Sequence, residues 1–306
     1  MDRRIIVFCG AAIAIAVLAF FALSWGNAGE PFGLFGEGTP TAAPTAPAEP
    51  AAIAPTPAAV SPSARAASTP TAAAGAKTVR DLHITFAGGM DDSLVEYFNS
   101  IAREGDIIGF YEKDMGKPGF AQQVAKVRAG RANQNFASWR RAEENAAELK
   151  ALGMDCMSYD LEKWENTPAD EWADIENSSW QFARVAHDNG LCYIGGLSNQ
   201  LAKQPGAIEA MAKYADVYGP HSHGAAKETP LQYADYLRDA AQRAKAGNPG
   251  IKIDIMVTTA AGSPDVQTIY GTIKECLDFA DSVMIYHDSS ADSVAKMKEL
   301  IALMRA

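Results

Sequence analysis

From residue 79 onward, short runs rich in β-branched and aromatic residues alternate with longer stretches whose apolar positions recur every three or four residues. The short runs predict seven strands: 82–89 (LHITFAGG), 106–112 (DIIGFYE), 154–162 (MDCMSYDLE), 191–197 (LCYIGGL), 215–220 (ADVYGP), 251–259 (IKIDIMVTT) and 282–287 (SVMIYH). The longer stretches predict helices over 91–104, 136–152, 170–189 and 231–246. Sustained strand–helix alternation requires parallel pairing with crossover helices, since a hairpin cannot join parallel neighbours. The expected fold class is α/β, a (β/α) TIM-type barrel of seven to eight parallel strands, with the eighth strand hidden in 115–135. A closed barrel is favoured over an open doubly wound sheet. In FAGGMDD the turn after the first strand carries acid where the open folds carry a glycine-rich phosphate loop.

Ahead of this region the pattern changes twice. Residues 5–25 (IIVFCGAAIAIAVLAFFALSW) hold no charge over 21 positions, enough to cross a hydrocarbon core of roughly 30 Å. Arg3 and Arg4 precede the run, so the N terminus is expected in the cytoplasm and the barrel outside the cell membrane. The alternative is a cleaved signal and a secreted protein, but such signals have apolar regions of about 7–15 residues, and Asn27-Ala28-Gly29 is a poor small-x-small site. Residues 27–78 are dominated by Ala, Pro and Thr; proline forbids a continuous helix and the small side chains bury almost nothing. The expected organisation is a transmembrane signal anchor (1–26), a disordered linker (27–78) and a barrel (79–306).

Charge then narrows the partners. Residues 1–78 carry Asp2, Glu30, Glu37 and Glu49 against Arg3, Arg4, Arg65 and Lys77, so the whole net charge of −10 falls on the barrel. Nucleic acid would demand a basic face and is excluded as a partner. Four cysteines in 306 residues exclude a small disulfide scaffold. Cys9 lies in the apolar run. Cys156, Cys192 and Cys276 are expected as buried free thiols, although Cys156 and Cys192 can also face each other across neighbouring strands.

The densest chemistry is in GMDCMSYDLEKW. Alternation sends Met157, Tyr159 and Leu161 to one face and Cys156, Ser158, Asp160 and Glu162 to the other. In a barrel the apolar set meets the helices, so the polar set lines the interior. Asp160 and Glu162 are then neighbours, roughly 7 Å apart at Cα, at the carboxyl end of a strand where barrel active sites are built. Two carboxylates in one mouth raise each other's proton affinity, which suits one as a general acid for glycosidic cleavage. The bland alternative makes Asp160 a satisfied buried acid and Glu162 a rim charge.

At these residues the sequence resembles the active strand of glycoside hydrolase family 18, the chitinase-like barrels, whose pattern is Asp-x-x-Asp-x-Asp-x-Glu. Asp155-Cys-Met-Ser158-Tyr-Asp160-Leu-Glu162 matches at Asp155, Asp160 and Glu162 and departs at Ser158. The resemblance implies Glu162 as proton donor, Asp160 as the acid that orients a substrate acetamido group, and Asp155 as a supporting interior residue. Met284-Ile-Tyr286 is similar to the family's Met-x-Tyr, with 20 residues after it. The longer run YDLEKWENTPADEW is also similar to poorly characterised exported barrels of glycosidase type.

Further substrate-binding candidates are Tyr286, Trp164, Glu112, Tyr218 and His221. Strand parity turns Tyr286 inward. Trp164 follows Glu162 in a loop, where an indole either stacks on a sugar ring or lids the rim. Glu112 ends the second visible strand and is a candidate second carboxylate. Tyr218 closes the fifth, ahead of His221-Ser-His223, a pair that opens a metal-dependent hydrolase as an alternative. No phosphate loop, nucleophile elbow or Cys-x-x-Cys is present, and neither a cofactor nor a resident metal is expected. The expected activity is a membrane-anchored, extracytoplasmic glycoside hydrolase acting on a carbohydrate polymer or oligosaccharide; the rival is a catalytically silent barrel that binds a glycan or protein.

Overall fold

The structure, a computed structural model, describes residues 77–222 and 228–306. The predicted membrane span, almost all of the predicted linker, Cys9 and His223 lie outside the described residues. No helix among the described residues is long and apolar enough to cross a membrane.

Eight parallel strands close into a barrel in sequence order: β1 (His83–Ala87), β2 (Ile107–Tyr111), β3 (Arg131–Phe136), β4 (Cys156–Leu161), β5 (Cys192–Leu197), β6 (Val217–Tyr218), β7 (Lys252–Thr258) and β8 (Ser282–Tyr286). Closure comes from β1 against β8, in register from His83↔Ser282 to Ala87↔Tyr286. The strand expected within 115–135 is β3. Its RANQNF sequence has only Ala and Phe as apolar residues because its inward positions, Asn133 and Asn135, face a polar interior.

Each major helix starts where a side chain accepts an otherwise orphaned backbone N–H. Asp91 takes Leu94 N for Asp92–Ile101, Ser138 takes Arg140 N for Trp139–Ala151, and Asp174 takes Asn177 N for Ile175–Asp188. Pro230–Gly247 begins with a Thr229/Gln232 capping box. Two predicted helices are corrected. The one expected over 136–152 begins at Trp139, because Phe136 is the last residue of β3. The one expected over 170–189 is two, Ala169–Ala173 and Ile175–Asp188, broken at Asp174, which caps the second.

Outward side chains of the strands form the core with these helices: Ile84, Phe86, Ile108, Phe110, Phe136, Met157, Tyr159, Leu161, Ile253, Ile255, Val283 and Ile285 are all buried. Full burial of such a side chain contributes about 1.5–3 kcal/mol, so this layer carries most of the fold's stability. Inside, the amino-terminal end of the barrel is plugged by Ile107, Cys156, Ile194 and Val217, with Cys192 packed against them. Cys156 and Cys192 are register partners on β4 and β5 and form a disulfide, which corrects the expectation of free thiols; Cys276 is free and buried. Lys77 donates to the Ala280 carbonyl just ahead of β8, and Arg80 to the Arg305 carbonyl, so the described chain enters at the amino-terminal end of the barrel.

Candidate active site

Above the apolar plug the interior turns polar and opens into a cavity of about 560 Å³ at the carboxyl ends of the strands. Thr85, Asn133, Asn135, Ser158 and Asp160 line its floor and walls, with Glu162, Tyr111, Tyr286 and His221 above them. Strand parity delivers this set. On β4, Ser158 and Asp160 face inward while Tyr159 and Leu161 pack outward in the core.

Asp160 and Glu162 meet at a third residue. The imidazole of His221, three residues past β6, turns Nε2 to Asp160 Oδ1 and Nδ1 to Glu162 Oε1, each at 3.2 Å. All three side chains are partly buried, exposed by 22%, 32% and 14% in the order Asp160, Glu162, His221, so the contacts are only weakly screened by water. Glycine makes room for the ring: a Cβ on Gly196 of β5 would stand 2.8 Å from His221 Nε2. The Tyr236 hydroxyl donates to the His221 carbonyl at 3.0 Å and fixes the loop from behind.

Electrostatics follow from this geometry. Burial raises the Asp160 pKa above the ordinary carboxylate range and the Glu162 charge adds to it, against the opposing pull of His221 and Asn135. For His221, burial is the largest influence and disfavours the imidazolium, yet the two acids together outweigh it and the pKa stands above the usual imidazole value. Two carboxylates and one imidazolium share a net charge of about −1, which attracts a further proton to the group.

Beneath the acids runs a chain of neutral groups. Asn133 Nδ2 donates to Ser158 Oγ at 2.9 Å, Ser158 Oγ donates to Asn135 Oδ1 at 2.9 Å, and Asn135 Nδ2 donates to Asp160 Oδ2 at 3.3 Å. Asp155, the first acid of the motif, stands apart at the amino-terminal end of β4, where its carboxylate accepts from Ala132 N.

The remaining predicted residues divide. Tyr286 lines the cavity and hydrogen-bonds Tyr111, whose phenol is pushed far above its ordinary pKa by burial, then by Tyr286 and Asp160. Trp164 stands on the rim, 45% exposed, its Nε1 donating to Thr167 Oγ1 at 2.8 Å. Glu112 also reaches the cavity, but begins a short helix rather than ending a strand; it is ion-paired with Arg141, and burial raises its pKa against the pull of that guanidinium. Tyr218 is corrected: its side chain is fully buried in the outer core, and it does not line the cavity, because Val217 takes the inward position of the pair. Sequence reasoning missed Asn133, Asn135, Arg141 and Asn166. Arg141 lies in a helix, Asn166 in the loop after β4, and Asn133 and Asn135 in a strand too polar to be noticed; the Asn-x-Asn spacing in RANQNF was the available signal.

Asp160, Glu162 and His221 are the one group among the described residues that brings three metal-ligating side chains, two carboxylates and an imidazole, within 4.8 Å of one another. A cation takes a lone pair from a neutral imidazole, whereas His221 presents one nitrogen to each carboxylate. That arrangement fits hydrogens held between the three groups better than an ion.

Among solved structures, the catalytic domain of a family GH18 chitinase from the fern Peteris ryukyuensis shares the fold, with a TM-score of 0.52 and 9% sequence identity over 73% of this chain and 100% of that domain. 3-Hexulose-6-phosphate synthase gives a TM-score of 0.47 at 17% identity, covering 72% of this chain and 99% of that one. The carboxyl transferase domain of Rhizobium etli pyruvate carboxylase gives 0.46 at 8% identity, covering 68% and 40%. No family model matches the chain, and no curated protein is similar to it in sequence. At these identities the likeness is one of fold alone: the chain builds the closed parallel barrel that the chitinase domain also builds.

Proposed function

We propose that the protein is a glycoside hydrolase, held to a cell membrane by residues 5–25 with its barrel outside, and acting on a glycan of the envelope or the surroundings. The observation that carries this reading is the opening of Asp160 and Glu162, with His221 between them, into one cavity at the carboxyl ends of the strands. Glu162 is the proton donor. It is the outer acid of the pair, one residue past β4, and the group around it draws in the proton that it must hand to the glycosidic oxygen.

Asp160 assists. On a sugar with an N-acetyl group, the carboxylate orients the acetamido so that its oxygen attacks C1 as the leaving group takes the proton from Glu162. Water then opens the cyclic intermediate and returns a proton to Glu162. On a sugar without that group, Glu112 serves as the second carboxylate, with Arg141 favouring its ionised form. Trp164 on the rim offers a face for a sugar ring, and Tyr286 a hydroxyl.

The test is hydrolysis of a glycan panel by the full chain beside Glu162→Gln. Loss of release in the variant with binding retained is expected, and equal release by both proteins would overturn the assignment. A second reading, a barrel that binds glycans without cleaving them, is favoured by Ser158 standing where the motif has an acid; binding without release by the unmodified chain would establish it. Activity lost to a chelator and restored by a divalent ion would point to a metal instead.

A further inference from the structure

The neutral chain beneath Asp160 has a direction. A carboxamide NH2 only donates and a serine hydroxyl has one proton to give, so each link constrains the next. Asn133 donates to Ser158, whose own proton is thereby free for Asn135 Oδ1; this commits Asn135 to turning its NH2 toward Asp160 Oδ2. Turning the Asn135 amide over would place two acceptors against each other at Asp160 and leave Ser158 without an acceptor there. The strands hold the parts in place, with Asn135 and Ser158 register partners and Asn133 opposite Cys156. The chain ends on Oδ2, and the other oxygen, Oδ1, is buried, outside the hydrogen bonds of the chain, and ion-paired with His221 Nε2 at 3.2 Å.

We propose that Asn135, held by Ser158 and Asn133, is the positioning residue of this site: it fixes Asp160 in one rotation and reserves Oδ2 as an acceptor. Any proton that Asp160 carries therefore sits on Oδ1, on the cavity side. The interior passes no proton, because amides break the relay, and exchange runs through the groups that face Asp160 around the mouth. These are Tyr111 from β2, Glu162 beyond β4, His221 beyond β6 and Tyr286 from β8; β5 and β7 contribute only Ile194, Gly195, Gly196 and Met256 to the cavity, none of which titrates. The inference deepens the glycosidase reading, which it takes as the use to which the site is put, but its test does not require that activity.

The test follows the Asp160 carboxyl by ¹³C NMR in the full chain labelled at aspartate side chains, the signal assigned with Asp160→Asn. A donor to the ionised form lowers a carboxyl pKa, so Ser158→Ala, which frees Asn135 to turn, is expected to shift the midpoint upward by roughly half a unit or more. Asn135→Asp, nearly isosteric and unable to donate when ionised, is expected to shift it further, since two carboxylates at that separation cannot both ionise. Midpoints unchanged in both variants would overturn the proposal. Should the variants fail to fold, the unmodified chain decides: the Asn135 side-chain amide is expected to show two well-separated proton signals that exchange slowly with deuterated water, and rapid exchange would overturn it. Release of fluorophore from 4-methylumbelliferyl glycosides, measured in parallel, separates the two ideas. Shifted midpoints without release support the positioning role and count against the glycosidase; release with unmoved midpoints does the reverse.

Discussion

His221 Nδ1 stands 3.2 Å from Glu162 Oε1, so the outer carboxyl of the acid pair is held by an imidazole delivered from the far side of β5. Gly196 makes this possible. Ala at 196 would bring a Cβ to 2.8 Å from His221 Nε2 and 3.2 Å from the Gly219 carbonyl. Gly196→Ala is expected to push the ring off Asp160 and lower turnover by about 10–100-fold, the scale of a 1 Å misplacement. Steady-state kinetics beside thermal melting checks this; unchanged turnover would show that His221's position does not matter to the reaction.

Asp254 on β7 is fully buried and accepts from Thr85 Oγ1 at 2.8 Å. Burial pushes its pKa up from 3.8 to about 6, against hydrogen bonds from Ser282 and Thr85. A group raised on folding stabilises the native state fully below its unfolded value and loses that contribution as pH rises through its folded value. The window is therefore about pH 4–6, and above it the ionised carboxylate costs about 3 kcal/mol. Asp254→Asn is expected to raise the melting temperature at pH 8 and to change little at pH 4. The opposite order would count against the buried-acid account.

The Cys156–Cys192 disulfide closes a segment with a sequence separation of 36. Chain-entropy arithmetic for that loop gives about 4 kcal/mol. Replacing both cysteines with alanine should lower the denaturant midpoint of the oxidised protein accordingly, and reductant should then have no further effect on the variant. A variant as stable as the unmodified oxidised chain would show that the crosslink adds nothing.

Glu171, fully buried, gathers four donors: Ser138 Oγ at 2.6 Å, Arg140 Nη1 at 2.8 Å, Trp139 N at 3.0 Å and Tyr159 OH at 2.7 Å. It thereby ties the outer face of β4 to the loops after β3 and β4. Glu171→Ala strands these groups and is expected to cost about 3–5 kcal/mol in chemical unfolding. Glu171→Gln, which keeps an acceptor, should cost less; equal losses would shift the explanation from hydrogen bonding to packing.

What the sequence made legible follows from how each strand is solvated. β4, β7 and β8 put apolar residues against the helices often enough to reveal period two, and on β4 the same parity marked Asp160 and Glu162 as a pair facing one way. β3 was obscured because Asn133, Gln134 and Asn135 spend their side chains on hydrogen bonds instead of burying apolar surface. The two-residue β6 gave too short a pattern to fix Tyr218, and only its neighbour Val217 in the interior plug reveals the parity. The meeting of His221 with both acids depends on β6 lying next but one to β4, a relation set by closure of the sheet and by the missing Cβ at 196. Local sequence carries no record of it.

The entry of the chain beside Ala280 has a topological consequence. In a parallel barrel every strand runs the same way, so a chain entering at the amino ends meets the cavity only after crossing the full depth of the sheet. The described segment from Lys77 to β1 accordingly joins the barrel on the face opposite the mouth, and none of residues 77–82 takes a place in the cavity lining.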